Sequence, residues 1–428
     1  MRKALVKGGK KLKGEVTVSG SKNAALPILA ATVLLRGESV ISNIPNLLDV
    51  ITIIRVLRAL GLKAEYHEPG TVKIVTNSTI KHVAPYELVT KMRASFFIIG
   101  PILARMGLAK VPLPGGCAIG SRPVNLHIKG LEALGAEVSM EHGFVIVKAN
   151  KLKGDRIYLD FPSVGATESI MMAATLAEGR TVIENAAQEP EIIDLANFLN
   201  HAGARIKDVG TDTIIIDGVA RLKGIEYEII PDRIEAGTIM VATAITAGDV
   251  LIKGVNPHHI ESTVSKLDEA GVDVKFEDHS VRVKAIGRIK AIDVKTHPYP
   301  GFPTDMQPQL TTLLSLAEGT SVVTENIFEN RFMHVHELRR MGAHIKLEDR
   351  SAIIEGVPEL SGAPVRASDL RAGAALILAG LAADGETLVE DTERYIERGY
   401  DGLAKKLNSL GADIKEFETT QEYENNHQ

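Results

Sequence analysis

The chain has no tryptophan and a single cysteine, Cys117, among its 428 residues. One thiol closes no internal disulfide and builds no multi-cysteine zinc site, so oxidative folding is not expected. Aromatic residues are few, ten Phe and eight Tyr, which leaves little on which to stack bases. The 49 basic and 54 acidic residues sum to a net charge of −5, with no basic tail to draw in a polyanion. Nucleic-acid binding is therefore not expected. Long hydrophobic runs are missing too. The most apolar stretches, residues 24–35 and 372–383, fall short of the roughly 20 residues that cross a bilayer. The first fourteen residues are lysine-rich and lack the apolar core of a signal peptide. No membrane insertion is expected, and the cytoplasm is the expected compartment.

What is present is ordinary for a globular protein: 45% hydrophobic and 24% charged residues, a balance that argues against disorder. At roughly 100–200 residues per domain, the length suits two domains better than one.

A repeat organises the chain. The pattern Leu-x-x-x-Gly ends at Gly61, Gly135, Gly203, Gly271, Gly342 and Gly411, at spacings of 74, 68, 68, 71 and 69 residues. Glycine most readily takes the left-handed conformation that ends a helix, so the pattern has a backbone reason. A second series, Gly37, Gly107, Gly179, Gly248, Gly319 and Gly385, precedes it in phase. Ahead of this series lie segments that are apolar nearly all round, such as 24–35, 170–177, 236–247 and 372–383, the mark of a buried helix. The later helix, for example 50–60 or 192–201, carries more polar positions and reads as half-exposed. Alternating pairs such as 138–140 with 144–148 and 272–276 with 281–284 read as hairpins. The predicted unit is strand, buried helix, strand, outer helix, hairpin, and it occurs six times. Because apolar helices need central burial, six units divide into two α/β domains of three.

The phase of the repeat points to chemistry. Lys22, Arg93, Gly165, Arg233, Asp305 and Arg371 each lie 14 or 15 residues before a glycine of the second series, where each buried helix is expected to begin. A helix start offers unpaired N–H donors and partial positive charge. With Lys22, Arg93 and Arg371 among these starts, an anionic, phosphate-bearing substrate is expected. Cys117 sits in the longest repeat, in a loop over 112–122 that carries Pro112, Pro114, Gly115, Gly116 and Gly120. A lone cysteine commonly packs as a small hydrophobe. This polar, glycine-rich setting, with Arg122 five residues on, instead favours a reactive thiol on a loop that closes over a site. Asp305, after Phe302-Pro303-Thr304, is either a helix-capping acid or a weak base that relies on geometry. The pairs His258–His259 and His334–His336 lack a supporting ligand pattern, so no metal is expected, and the glycines near Cys117 form no phosphate-loop or dinucleotide fingerprint.

Together these motifs resemble a known family. Ser21-Lys22-Asn23-Ala24, the loop 114–122 with Pro123, Ser163-Val164-Gly165-Ala166-Thr167, Pro231-Asp232-Arg233, residues 302–306 and 329–334, and Asp369-Leu370-Arg371 closely resemble the UDP-N-acetylglucosamine 1-carboxyvinyltransferases. These are the enolpyruvyl transferases that begin peptidoglycan synthesis. The resemblance runs from Lys22 to about Gly411, in order and with family spacing. It implies two inside-out α/β barrel domains, each of three repeats with buried helices and outer sheets. The implied domains are 21–229, with the mobile cysteine loop 112–122, and 1–20 plus 230–428, with the active site in the cleft between them. The N-terminal strand would join the C-terminal domain.

The resemblance further implies transfer of the enolpyruvyl group of phosphoenolpyruvate to the 3′-hydroxyl of UDP-N-acetylglucosamine, with release of phosphate and without a cofactor. On that pattern Cys117 is the general acid and the point of covalent attachment of phosphoenolpyruvate or fosfomycin. Asp305 handles the proton of the sugar hydroxyl. Lys22, Arg122 and Arg398 clamp phosphate, and Arg371 takes the carboxylate. Asn23, Arg93, Arg122, Pro123, Val124, Asn125, Leu126, Ser163, Val164, Gly165 and Ile327 hold the sugar nucleotide, and Arg331 and Asp369 complete the substrate-binding set. Asn125 and Phe161 depart from the Asp and Lys found in many relatives, and the second change removes a cation expected near the diphosphate. The oligomeric state stays open. The rivals are 5-enolpyruvylshikimate-3-phosphate synthase, whose family lacks the cysteine loop, and a catalytically silent sugar-nucleotide sensor.

Overall fold

The computed structural model describes residues 2–76, 79–115, 119–120 and 124–418. Two compact units emerge. An N-terminal unit comprises 20–117 and 122–230, and a C-terminal unit comprises 1–19, 118–121 and 231–428. Each has a hydrophobic core of its own. Ile119 and Gly120, from the loop expected in the first domain, group with the C-terminal unit, where the Asn330 N–H donates to the Ile119 carbonyl at 3.0 Å.

Each unit repeats one motif three times. In the first repeat, helix Lys22–Ala31 leads to strand Leu35–Ser42, helix Leu48–Ala59 and the hairpin of Lys63–His67 with Thr71–Thr76. The same order restarts at helices Ile99–Met106 and Val164–Ala174, and in the C-terminal unit at Arg233–Ile245, Gln307–Leu314 and Leu370–Ala382. These helices occupy the centres. Leu370–Ala382 is buried without a break from Arg371 to Leu381, and Arg233–Ile245 from Ile234 to Ala244. Three sheets in each unit lie outside them and bury alternate residues, as in Thr213–Asp217. Close helix packing requires small residues. A β-carbon on Gly100 would lie 2.4 Å from the Ser169 carbonyl oxygen on the neighbouring helix.

The Leu-x-x-x-Gly pattern is a helix-ending motif with both ends explained. The Gly61 N–H bonds to the Arg58 carbonyl at 3.0 Å, and the Leu62 N–H reaches back to Leu57 at 3.1 Å. The same two bonds recur at Gly135, Gly203, Gly271, Gly342 and Gly411, and all six glycines have φ from 89° to 109°. This is the Schellman arrangement. The leucine of each pattern gives its carbonyl to the longer bond and its side chain to the core, each being 0% exposed. The second glycine series is less uniform. At Gly248 the left-handed residue is its neighbour Ala247, and Gly248 is needed because a β-carbon would lie 2.3 Å from the Leu12 carbonyl.

Two departures from a simple tandem repeat close the units. Strand Lys13–Thr17, which precedes the first buried helix, pairs in parallel with Asp249–Lys253 of the fourth repeat. Strands Leu222–Lys223 and Glu226–Glu228, which precede the fourth buried helix, pair in parallel with Leu35–Ser42 of the first. The two repeats have exchanged leading strands, and the chain passes between units at 19–20 and 230–231. The sixth repeat lacks the expected local hairpin: Asp413–Glu418 pairs instead with Arg2–Lys7, which also pairs with Glu386–Asp391.

No atom lies within 4 Å of a β-carbon built on Gly271, whose φ is 90°, so a Gly271→Ala substitution meets only the backbone penalty. We expect it to destabilise the chain by about 1–2 kcal/mol, read as a lower urea midpoint at unchanged slope. An unchanged midpoint would refute the role given to the left-handed turn.

Candidate functional site

The six loaded positions all fall at starts of central helices. Lys22 and Arg233 are first residues, and Gly165 and Arg371 are second residues. Arg93 opens the 3-10 helix Arg93–Ile98, which runs into Ile99–Met106. Asp305 is the middle residue of Thr304–Met306, which runs into Gln307–Leu314.

The expectation of freely available helix-start donors needs correction. Ser21 and Ser163 accept from the N–H groups of Ala24 and Ala166. Asp232 accepts from Ile234 and Glu235, and Asp369 from Arg371 and Ala372. Capping residues thus consume several of these donors. In the N-terminal unit the caps are neutral serines, so the positive end of the helix field persists there. In the C-terminal unit the caps are carboxylates that offset the field, and the anion-attracting charge lies on side chains. Arg233 itself faces the Tyr299 ring, 5.6 Å from its centroid.

In the N-terminal unit, Lys22 is buried and its Nζ lies 2.7 Å from Asp49 Oδ2, on helix Leu48–Ala59. Asn23 follows it, half-buried. Val124, Asn125 and Leu126 lie at the start of helix Asn125–Ala133, and Ser163, Val164 and Gly165 at the start of Val164–Ala174. These two starts are tied together. His127 Nδ1 lies 3.0 Å from Ser169 Oγ, and a β-carbon on Gly165 would crowd Phe97 and His127, at 3.0 and 3.2 Å. Beside them Phe161 is exposed, and Lys129 pairs with Asp160 at 2.8 Å. Cys117, Arg122 and Pro123 lie outside the described residues.

In the C-terminal unit, Asp305 is gripped by two arginines. Arg371 places Nη2 at 2.9 Å and Nε at 3.2 Å from Oδ2, and Arg331 places Nη2 at 3.0 Å from Oδ1. The guanidinium side chains are 1% and 3% exposed, so unpaired they would carry a large desolvation cost. Desolvation pushes the Asp305 carboxyl upward. The charges of Arg371 and then Arg331, with their hydrogen bonds, outweigh it and hold Asp305 well below the usual carboxylate range. Two donors remain. Arg331 Nε and Arg371 Nη1 are buried and without a hydrogen-bond partner among the described residues. Asp232 also acts on Arg371 by its charge, so it is the two spare donors, more than any excess of charge, that suit the site to an anion.

Glu325, which the sequence did not single out, organises the surroundings. Its carboxylate accepts from Thr296 and Thr304 hydroxyls, both at 2.9 Å, and from the N–H groups of Ile327 and Phe328. It therefore fixes the turn that carries Asp305 and takes the Ile327 N–H, so a ligand could use only the Ile327 carbonyl. Asp49 was likewise missed as the partner of Lys22. Neither acid has a sequence signal, since carboxylates abound and these two are set apart by burial together with the partners they meet. Asp369 spends Oδ1 on the start of the Arg371 helix. Arg398 lies over the Tyr395 ring in helix Tyr395–Gly399. His258 is exposed and bonds Glu261, and His259 Nε2 lies 3.0 Å from Asn256. No group of three His, Cys, Asp or Glu side chains among the described residues could hold a metal ion.

Two units of three repeats, with helices inside, sheets outside and basic residues at the helix starts, define an enolpyruvyl transferase architecture. The model of the family EPSP synthase (3-phosphoshikimate 1-carboxyvinyltransferase) matches residues 6–417. UDP-N-acetylglucosamine 1-carboxyvinyltransferase 1 of Caldanaerobacter subterraneus subsp. tengcongensis is 56% identical over 413 residues, 96% of this chain and 99% of that protein. The enzyme of Geobacter metallireducens with the same name, without the numeral, is 56% identical over 97% of this chain and 99% of its own. The enolpyruvyl transferase NikO from Streptomyces tendae superposes with a TM-score of 0.88 at 25% identity, over 98% of this chain and 99% of that one. EPSP synthase from Acinetobacter baumannii gives 0.76 at 20% identity, over 97% and 100%, a likeness of fold alone. The chain belongs to the EPSP synthase family and, within it, to the UDP-N-acetylglucosamine 1-carboxyvinyltransferases.

Replacing Asp305 by Asn strands two buried guanidinium groups, and we expect a loss of about 3 kcal/mol, the lower end for a broken buried pair because the carboxylate is partly exposed. A carboxyl held below its unfolded value contributes stability above the ordinary carboxylate range and loses it only as pH falls through the folded value. The deficit of the variant, measured by urea unfolding, should therefore be undiminished between pH 6 and 8. Equal stability of the two proteins there would contradict the pairing.

Proposed function

We propose that this chain transfers the enolpyruvyl group of phosphoenolpyruvate to the 3′-hydroxyl of UDP-N-acetylglucosamine and releases phosphate, the first committed step of peptidoglycan synthesis. The observation that carries this reading is the 54–56% identity, along nearly the whole chain, to curated relatives of that name. The low likeness to EPSP synthases disfavours shikimate 3-phosphate as the acceptor. No described helix is long and apolar enough to cross a membrane, and the reading assigns the enzyme to the cytoplasm.

Chemically, the alcohol oxygen attacks C2 of phosphoenolpyruvate while C3 gains a proton. The tetrahedral adduct then expels phosphate, and a proton leaves C3 to restore the double bond. Cys117 is assigned the proton at C3 and the covalent attachment. Asp305, ionised between its arginines, accepts the hydrogen bond of the sugar hydroxyl and orients it. Its low basicity means the deprotonation must accompany attack on an activated C2. The unpartnered donors of Arg331 and Arg371 suit the substrate carboxylate. Lys22, Arg122 and Arg398 take the phosphate and stabilise the charge that grows as it leaves. Asn23, Arg93, residues 122–126 and 163–165 and the Ile327 carbonyl take the sugar nucleotide. With Phe161 in place of a cation, the helix start at Asn125, which has no side-chain cap, and the one at Val164, capped by the neutral Ser163, carry the attraction for its diphosphate. No cofactor enters the scheme.

Phosphate release, assayed with each acceptor in turn, tests the reading. Turnover is expected with UDP-N-acetylglucosamine and not with shikimate 3-phosphate, and sugar-nucleotide binding without release would favour a silent sensor. The Cys117→Ala variant should lose nearly all turnover while keeping its affinity for UDP-N-acetylglucosamine. Fosfomycin should add to Cys117 in the intact mass spectrum, and an unmodified thiol after inactivation would contradict the acid assigned.

A further inference from the structure

Arg371 is held at its edge by Asp305, and its remaining surroundings point to a second restraint. The Tyr400 ring lies against the guanidinium, with the Arg371 Cζ 5.1 Å from the ring centroid, a cation–π contact made between two buried groups. The ring is itself immobilised through its hydroxyl. Gln309 Nε2 lies 3.0 Å from Tyr400 Oη, 3.0 Å from Thr238 Oγ1 and 3.0 Å from the Asp305 carbonyl oxygen. Tyr400 Oη and Thr238 Oγ1 are 3.1 Å apart. Gln309 and Thr238 are both fully buried.

Hydrogen counting sets the directions. The Asp305 carbonyl only accepts, so the Gln309 amide must turn its NH2 toward it, which fixes the amide orientation. Thr238 donates its one hydrogen to the Ile234 carbonyl at 2.7 Å. Thr238 Oγ1 is therefore an acceptor toward Tyr400, and the tyrosine hydroxyl donates to it. Tyr400 keeps that proton, because burial raises its pKa and outweighs the neighbouring Arg371 charge. With one amide hydrogen on the Asp305 carbonyl, the second is shared between Tyr400 Oη and Thr238 Oγ1, so Gln309 ties the backbone of Asp305 to the ring that supports Arg371 directly and through Thr238. One amide thus contacts the backbone of Asp305 and the hydroxyl of the tyrosine beside Arg371, and Arg371 Nη1 has no hydrogen-bond partner within range among the described residues.

We propose that Tyr400, fixed by Gln309 and Thr238, is a positioning residue that holds the Arg371 guanidinium so that its free edge meets the substrate carboxylate. The carboxylate rests on the function proposed above, whereas the restraint on Arg371 does not. The experiment therefore has two readouts. Proton exchange at Arg371 Nε–H, followed by nitrogen-15 NMR and assigned by its loss in Arg371→Lys, reports the restraint whatever the protein catalyses. The KM for phosphoenolpyruvate reports its use.

In Tyr400→Leu, which removes ring and hydroxyl, exchange at Arg371 should quicken at least tenfold. KM for phosphoenolpyruvate should rise at least tenfold, with a smaller change in kcat and none in KM for UDP-N-acetylglucosamine. Tyr400→Phe keeps the ring and loses its anchor, and both effects should be two- to fivefold. Gln309→Met, close in volume, should match Tyr400→Phe and serves if the leucine variant does not fold. Unchanged Arg371 exchange in every folded variant overturns the proposal. So does faster exchange with KM for phosphoenolpyruvate unchanged, since Arg371 would then be restrained for stability alone.

Discussion

A guanidinium inside a protein must be paired, and the C-terminal unit is arranged around that demand. Arg331 and Arg371 are almost wholly removed from water, and Asp305 is the carboxylate between them. The pairing explains why Asp305 is acidic beyond the ordinary range and why it sits on a turn that Glu325 pins through Thr304. It also explains why Asp369 caps the helix whose first turn carries Arg371, since the cap fixes the backbone from which the guanidinium extends. With Asp232 also acting on Arg371, what the arrangement leaves over is hydrogen-bond donors: Arg331 Nε and Arg371 Nη1 are buried without a partner among the described residues.

The two units reach a similar end by different electrostatics. In the N-terminal unit, serines cap the relevant helices and leave the field of the peptide dipoles intact, with Lys22 paired to Asp49 beside them. In the C-terminal unit, aspartates cap two of the three central helices and the arginine side chains carry the charge. A diffuse dipole field suits a diphosphate that several backbone groups share. A fixed guanidinium suits a planar carboxylate that needs an oriented, two-point contact.

Much of the fold was legible because the repeat has a local cause. Each Leu-x-x-x-Gly records a helix end whose glycine must be left-handed and whose leucine must be buried, and both requirements act within five residues. The helix starts were legible from the same phase, which located Lys22, Arg93, Gly165, Arg233, Asp305 and Arg371 before any contact was known. What their side chains touch was not legible. Asp49, Glu325, Gln309 and Tyr400 are ordinary residues in sequence, distinguished only by burial and by partners up to 162 positions away. The expectation of open donors at every helix start failed for a similar reason: whether Asp232 and Asp369 cap their helices depends on backbone geometry.

By itself, the sequence determined the six repeats, the burial of their apolar helices and the positions of the charged residues at the helix entrances, because periodicity and chain-local capping write these into neighbouring residues. The tertiary structure alone decided which strands complete which sheets. Lys13–Thr17 and the strands of 222–228 are exchanged between the first and fourth repeats, and Arg2–Lys7 closes the sheet of the sixth. Such pairings join residues more than 180 positions apart through backbone hydrogen bonds. Those bonds are nearly indifferent to side-chain identity, so no local pattern encodes the partner.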